Sequence, residues 1–327
     1  KSGNTWMRSL LASYFFSTIK IVPLLFVGIF LLRLSGQGLM SHTSSTTVSR
    51  YFEKTRGRAL SISWFGLSTA EFILPVFIVF LLTVTSWQHI WISISLVLII
   101  FLPIVSFVLI KNVTLETREN SLVTKNIPKK IKQWRRVEVL KDYRFYIVCL
   151  NMLAMPWIAT GVFVYQSYIT ESKEWGEFVI AQSFMAYSVL SVITLLGSGF
   201  LIDKFTSRKL LIFMNIPLLI SMLVLFYLDI SISAFIFLGL IGISNGLANV
   251  LGSSTWAEIY GVKYIGSIKA LTTALMVFST AFGTALFGLL IDKGFTIEQI
   301  AVISFVYIFL SLIALFVVRN RLNPEYI

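Results

Sequence analysis

Two ionisable side chains, Arg33 and Glu71, fall near the middle of long apolar runs. A charge at the centre of a membrane-spanning helix costs about 2.5–3.5 kcal/mol on insertion scales, so it persists where it is paired or faces water. An arginine in that position attracts an anion. A carboxylate there can tune the arginine or carry a proton. Counted from the polar stretch 50–58 that joins the two runs, Arg33 and Glu71 differ in depth by about one helical turn. A salt bridge or a shared water cavity is feasible, and so is a static pair holding two helices together. His42 lies further toward the same polar stretch, with Ser41, Ser44 and Ser45 nearby. Histidine titrates near neutral pH and can relay protons, although a histidine among small polar residues also serves as a packing hydrogen bonder.

In the second half of the chain the polar residues inside apolar runs are neutral. They include Asn151, Tyr165, Gln166, Asn245 and Asn249. Asn245 and Asn249 are four apart and so share one helix face. Interhelical hydrogen bonding accounts for them as well as ligand contact does. No enzyme constellation is present. The two histidines have no metal-ligand spacing, Cys149 has no partner, and no glycine loop ends in Lys-Ser/Thr. The sequence therefore predicts neither a cofactor nor a metal, and no enzymatic activity.

The elements that must position these residues are set by composition. The 327 residues are 57% hydrophobic and only 13% charged, with a mean hydropathy of +0.85. A soluble domain is nearer about 25% charged. The bilayer must be the main solvent. The apolar runs are too long and too continuous for barrel strands. Windows of about 20 residues give about ten spans, at 5–20, 22–46, 59–83, 87–110, 145–169, 178–200, 209–228, 232–254, 268–291 and 297–318. One long helix over 9–32 competes with the first two. The net charge of +12 is concentrated in alternate loops. That pattern is an orientation signal, placing the basic loops and both ends of the chain in the cytoplasm, rather than a footprint for nucleic acid. The expected organisation is a bundle over 1–110, a basic linker over 111–144 and a six-helix bundle over 145–327. An inner or plasma membrane is the expected location, with a monomer as the expected state.

One short motif stands out: Gly199-Phe-Leu-Ile-Asp203-Lys-Phe-Thr206-Ser-Arg208-Lys209. It resembles the signature loop of the major facilitator superfamily, which usually has a second glycine where this chain has Thr206. The charges suggest a clasp. Asp203 suits the start of a neighbouring helix, where the N-terminal dipole favours an anion. Arg208 and Lys209 can reach Glu258 in the next cytoplasmic loop, Trp256-Ala-Glu-Ile-Tyr-Gly261, and Lys269, at the far side of that loop, can reach Asp203. These charges also serve simply to fix topology. The first half holds a parallel segment, in which Glu53 and Arg58-Ala-Leu match Glu258 and Lys269-Ala-Leu. Carrying that repeat back places a counterpart of Asp203 upstream of Lys1. The expectation is a twelve-helix protein lacking its first two helices, which would not transport as it stands.

The resemblance covers essentially the whole chain. Arg33-Leu-Ser-Gly36-Gln37-Gly38 is similar to the family's fourth-helix motif. The segment Gly66–Pro75 and the Trp256–Gly261 stretch are most similar to monocarboxylate-transporter-like members. The resemblance implies an all-α polytopic fold and secondary transport of a small organic solute by alternating access. The solute would be a monocarboxylate-like anion, moved with or without a proton. It further implies that Tyr165, Asn245 and Asn249 contact substrate, and with Arg33, Gln37, Glu71 and His42 they make up the expected substrate or proton pathway. An exporter of amphipathic compounds, a sensor with a transporter fold and a channel are the alternatives.

Overall fold

The computed structural model describes residues 5–19, 24, 27–28, 31–32, 35, 40–52, 55–105 and 132–325, excepting the side chains of 5–8, 10, 41, 50, 71–72, 74–76, 78–79, 102, 105, 177 and 181. Among the described residues every regular element is helical. In chain order these are α1 (Thr5–Ser17), α2 (Ser41–Tyr51), α3 (Arg56–Val84), α4 (Trp87–Val105), α5 (Arg136–Lys141), α6 (Tyr143–Val164), α7 (Gln166–Ser172), α8 (Glu177–Phe205), α9 (Ser207–Leu210), α10 (Ile216–Tyr227), α11 (Ile232–Tyr260), α12 (Ile265–Asp292) and α13 (Ile297–Val318), with short 3-10 turns after α9 and α13.

The chain forms two compact units. One comprises Lys1–Thr47 and Thr69–Ile127, the other Val48–Ser68 and Pro128–Ile327. The division differs from the bundle–linker–bundle expectation at two places. Residues 48–68 group with the second unit because Leu60 is fully buried in its core, with Val48 and Trp64 packed around it. The end of the linker is also built into that unit. Trp134 N–H donates to the Tyr260 carbonyl at 3.1 Å, and Lys132 N–H donates to the Glu325 carbonyl at 2.7 Å.

In the first unit, α1 packs on α4 through Phe16, whose ring meets Trp87 and Trp91 edge-on at 5.8 and 5.0 Å. The single helix over 9–32 does not form. Thr18 and Ile19 close tight bonds onto the Phe15 and Phe16 carbonyls, and α1 ends there.

The second unit contains six helical spans long and apolar enough to cross a bilayer, from Tyr143–Val164 to Ile297–Arg321. Lipid offers no hydrophobic drive for helices to associate, so close backbone packing must do it. Gly246 brings α11 against α8, where a Cβ would stand 2.8 Å from the Leu195 nitrogen. Gly283 on α12 lies over the backbone of Trp157 on α6 in the same way. Large apolar side chains such as Phe178, Phe278 and Val317 are exposed. In a membrane that exposure faces acyl chains rather than water.

Several helices outlast the apolar runs that announced them. The run ending at 46 continues as α2 to Tyr51, α8 continues to Phe205, and α11 continues to Tyr260. The extra turns are polar or mixed, so a hydropathy window stops before the helix does. The span expected over 145–169 is instead two helices, α6 and α7, broken at Tyr165.

Candidate functional site

The signature motif is almost entirely helical. Gly199 through Phe205 form the last turns of α8, and Ser207 begins α9. Thr206 alone makes the reversal, at φ 73 and ψ 146. That backbone conformation suits glycine and strains a β-branched residue, which explains why the family pattern has glycine there.

The reversal holds Asp203 against the first turn of α3. Its Oδ1 accepts the Gly57 N–H at 2.7 Å, and its Oδ2 accepts the Arg58 N–H at 3.3 Å. The Arg58 Nε donates to the same Oδ2 at 2.9 Å. The first N–H groups of a helix have no intrahelical acceptor and carry the positive end of its dipole. Asp203 therefore caps α3 from another helix, as the sequence anticipates for its carboxylate. Its side chain is 12% exposed, against 47% for Arg58. The approach requires two glycines. The Gly199 carbonyl lies against Gly57, and a Cβ on Gly57 would stand 2.9 Å from Asp203 Oδ1. The Phe200 ring lies 5.9 Å from the Arg58 guanidinium carbon.

A second cap follows directly. Glu258 accepts the Ser207 N–H at 2.9 Å and the Arg208 N–H at 3.3 Å. Three expectations change here. Trp256 through Tyr260 are not a loop but the buried end of α11, which Gly261 terminates at φ 82. Glu258 meets the backbone at residues 207–208 rather than the Arg208 and Lys209 side chains. Arg208 donates instead to Asn323 Oδ1 at 2.8 Å, and Lys209 is exposed. Asp203 pairs with Arg58 rather than Lys269. The Lys269 ammonium is buried and makes no hydrogen bond among the described residues.

The mid-membrane candidates are less uniform. Arg33, Gln37 and Glu53 lie outside the described residues. Glu71 is part of α3, and its side chain is likewise outside the description. His42 is half-buried on α2, and its carbonyl accepts the Ser45 hydroxyl at 3.4 Å. Tyr165 caps α6 and stacks on Phe287, centroids 6.4 Å apart, with its hydroxyl against Gly288. Asn245 donates to Ser191 Oγ at 3.0 Å, tying α11 to α8. Asn249, one turn on, is half-buried and makes no hydrogen bond to any described residue. The two asparagines share a face but divide the roles of packing and open polar surface.

Sequence reasoning missed a cluster at the opposite helix ends. The buried Lys173 ammonium bonds Asp229 at 2.7 Å and Glu298 at 2.8 Å, joining two connections to the first turn of α13. The three residues lie at the ends of the apolar runs on the side that carries few basic residues, and their spacing in the sequence does not reveal that they meet. Among the described residues no group of His, Cys, Asp and Glu could hold a metal.

Long apolar helices, exposed hydrophobic surface and charges gathered at helix ends define an integral, multi-pass membrane protein. The sequence matches the family model of the Major Facilitator Superfamily over residues 5–268, and the chain belongs to that superfamily. No curated protein matches it.

Proposed function

We propose that the protein is a secondary active transporter of a small monocarboxylate-like anion, working by alternating access. The observation that carries this reading is the Asp203 cap on α3. It is a charge-assisted contact between two helix ends, held over a glycine pair and only partly buried. Such a contact can break without leaving a fully desolvated charge, which suits a gate. The basic loops are taken as cytoplasmic, so the Asp203 and Glu258 caps would close that side. Arg33 would draw the anion, Glu71 and His42 would tune it or relay a proton, and Asn249 and Tyr165 would line the path.

Proteoliposomes holding the native protein test the reading. Saturable uptake of a short monocarboxylate, accelerated by the same anion on the other side, is the expected result. Arg33→Gln should abolish that uptake. Saturable transport of amphipathic cations with no response to carboxylates would favour the exporter alternative. Binding without flux would favour a sensor.

A further inference from the structure

A cleft of about 510 Å³ opens where the basic linker meets the last span, entirely within the second unit. Lys132, Trp134, Lys141, Tyr143, Arg144 and Arg321 line much of it. Tyr143 begins one span and Arg321 ends another, so the cleft sits where two spans leave the apolar slab, at headgroup level.

Three acids share the lining, and each is already engaged. Arg144 Nε bonds both oxygens of Asp142 at 3.0 and 2.8 Å, and Asp142 also accepts the Tyr260 hydroxyl at 3.0 Å. Glu325 takes Arg144 on one oxygen at 2.9 Å and Lys132 on the other at 3.1 Å. Glu138 accepts the Arg135 N–H at 2.6 Å. Among the described residues Glu138 meets no cation and two cations meet no acid, so the cleft keeps one net positive charge. Lys141 is exposed and has no partner among the described residues, and Arg321 reaches only the neutral Tyr143 hydroxyl at 3.3 Å. The Trp134 indole N–H is buried without an acceptor among the described residues. The cleft therefore offers donors and positive charge in excess of its own acceptors.

We propose that this cleft binds the phosphate of an anionic phospholipid headgroup. Soluble phosphate shares the headgroup's chemistry, but the surroundings favour the lipid. Val137, Tyr146, Phe316 and Val317 are all exposed on the elements that border the cleft, and they supply apolar surface for acyl chains. Basic pockets at the ends of spanning helices are suited to phosphate headgroups, whose charge they neutralise at the interface. The proposal does not depend on the transport reading.

Native mass spectrometry of the detergent-solubilised full chain tests it, with phosphatidylglycerol and phosphatidylcholine as probes. One phosphatidylglycerol should be retained in preference to phosphatidylcholine. Each cation near the surface accounts for about fivefold in affinity, so Lys141→Gln with Arg321→Gln should weaken retention roughly twenty-five-fold. Lys141→Gln alone gives a smaller loss in the same direction and serves if the double variant unfolds. Lys204→Gln with Lys263→Gln removes two exposed cations outside the cleft and should leave retention unchanged. Equal loss in both pairs would reduce the site to diffuse surface charge and overturn the proposal. No loss in the cleft pair would also overturn it. Displacement of the lipid by millimolar inorganic phosphate would make soluble phosphate the occupant, and the lipid assignment would fail.

Discussion

Asp203 and Thr206 make opposite contributions within four residues of one another. Asp203 satisfies two helix-start N–H groups and one guanidinium. Asp203→Asn keeps the shape and removes the charge, which should cost about 1–2 kcal/mol in the contact between α8 and α3. Arg58→Gln should cost under about 1 kcal/mol, because its side chain is half exposed and the backbone caps remain. Thermal unfolding of the two variants side by side checks that order; a larger loss from Arg58→Gln would mean that the ion pair, and not the helix cap, holds the contact. Thr206 adopts a positive φ, and its hydroxyl is buried with no partner among the described residues. Strain of that kind is worth about 1–3 kcal/mol. Glycine relieves it and gives back about 1 kcal/mol through unfolded-state entropy. Thr206→Gly should therefore raise the unfolding temperature, by a net gain of about 1 kcal/mol. A lower unfolding temperature would mean that the threonine is doing something the backbone geometry does not reveal.

The opposite ends of the second unit are held by a different device. Lys173 has a side chain 1% exposed, set between Asp229 and Glu298, which are 73% and 35% exposed. Lys173→Met keeps the buried stem and leaves the two acids to face each other. Asp229 can turn to water, so the loss should be about 1–3 kcal/mol rather than the full cost of stranding a buried ion. The check is a thermal melt, where Lys173→Met should fall clearly below wild type. A further Asp229→Asn change should recover part of the loss, since neutralising one acid removes the repulsion between the two. No recovery would show that Lys173 acts through packing alone. Element boundaries also show where sequence reasoning reaches its limit. The spans were legible because lipid demands continuous apolar runs. Their ends were not, because residues such as those of Ser41–Tyr51 stay helical after they leave the apolar slab.

At the scale of the molecule, the clasp was half legible. The Gly199–Lys209 motif marked Asp203 and assigned it to a helix start. It could not say which start, since Arg58 and Lys269 are both bases followed by Ala-Leu. The choice rests on which helix end lies beside α8, and Gly57 with Gly199 decides that through a contact no charge pattern encodes. The role of Glu258 was hidden for a similar reason, because its partners are backbone N–H groups that every sequence has. The central claim is that this clasp opens and closes as substrate is exchanged. Ser61 is 2% exposed and lies against Gly199 beneath the clasp. The most direct measurement is the labelling rate of Ser61→Cys by a water-soluble maleimide, on a Cys149→Ala background, with and without a transported anion. The account predicts slow labelling without the anion, a faster rate during exchange, and a fast rate in Asp203→Asn under both conditions. A rate that ignores both the anion and Asp203 would contradict it.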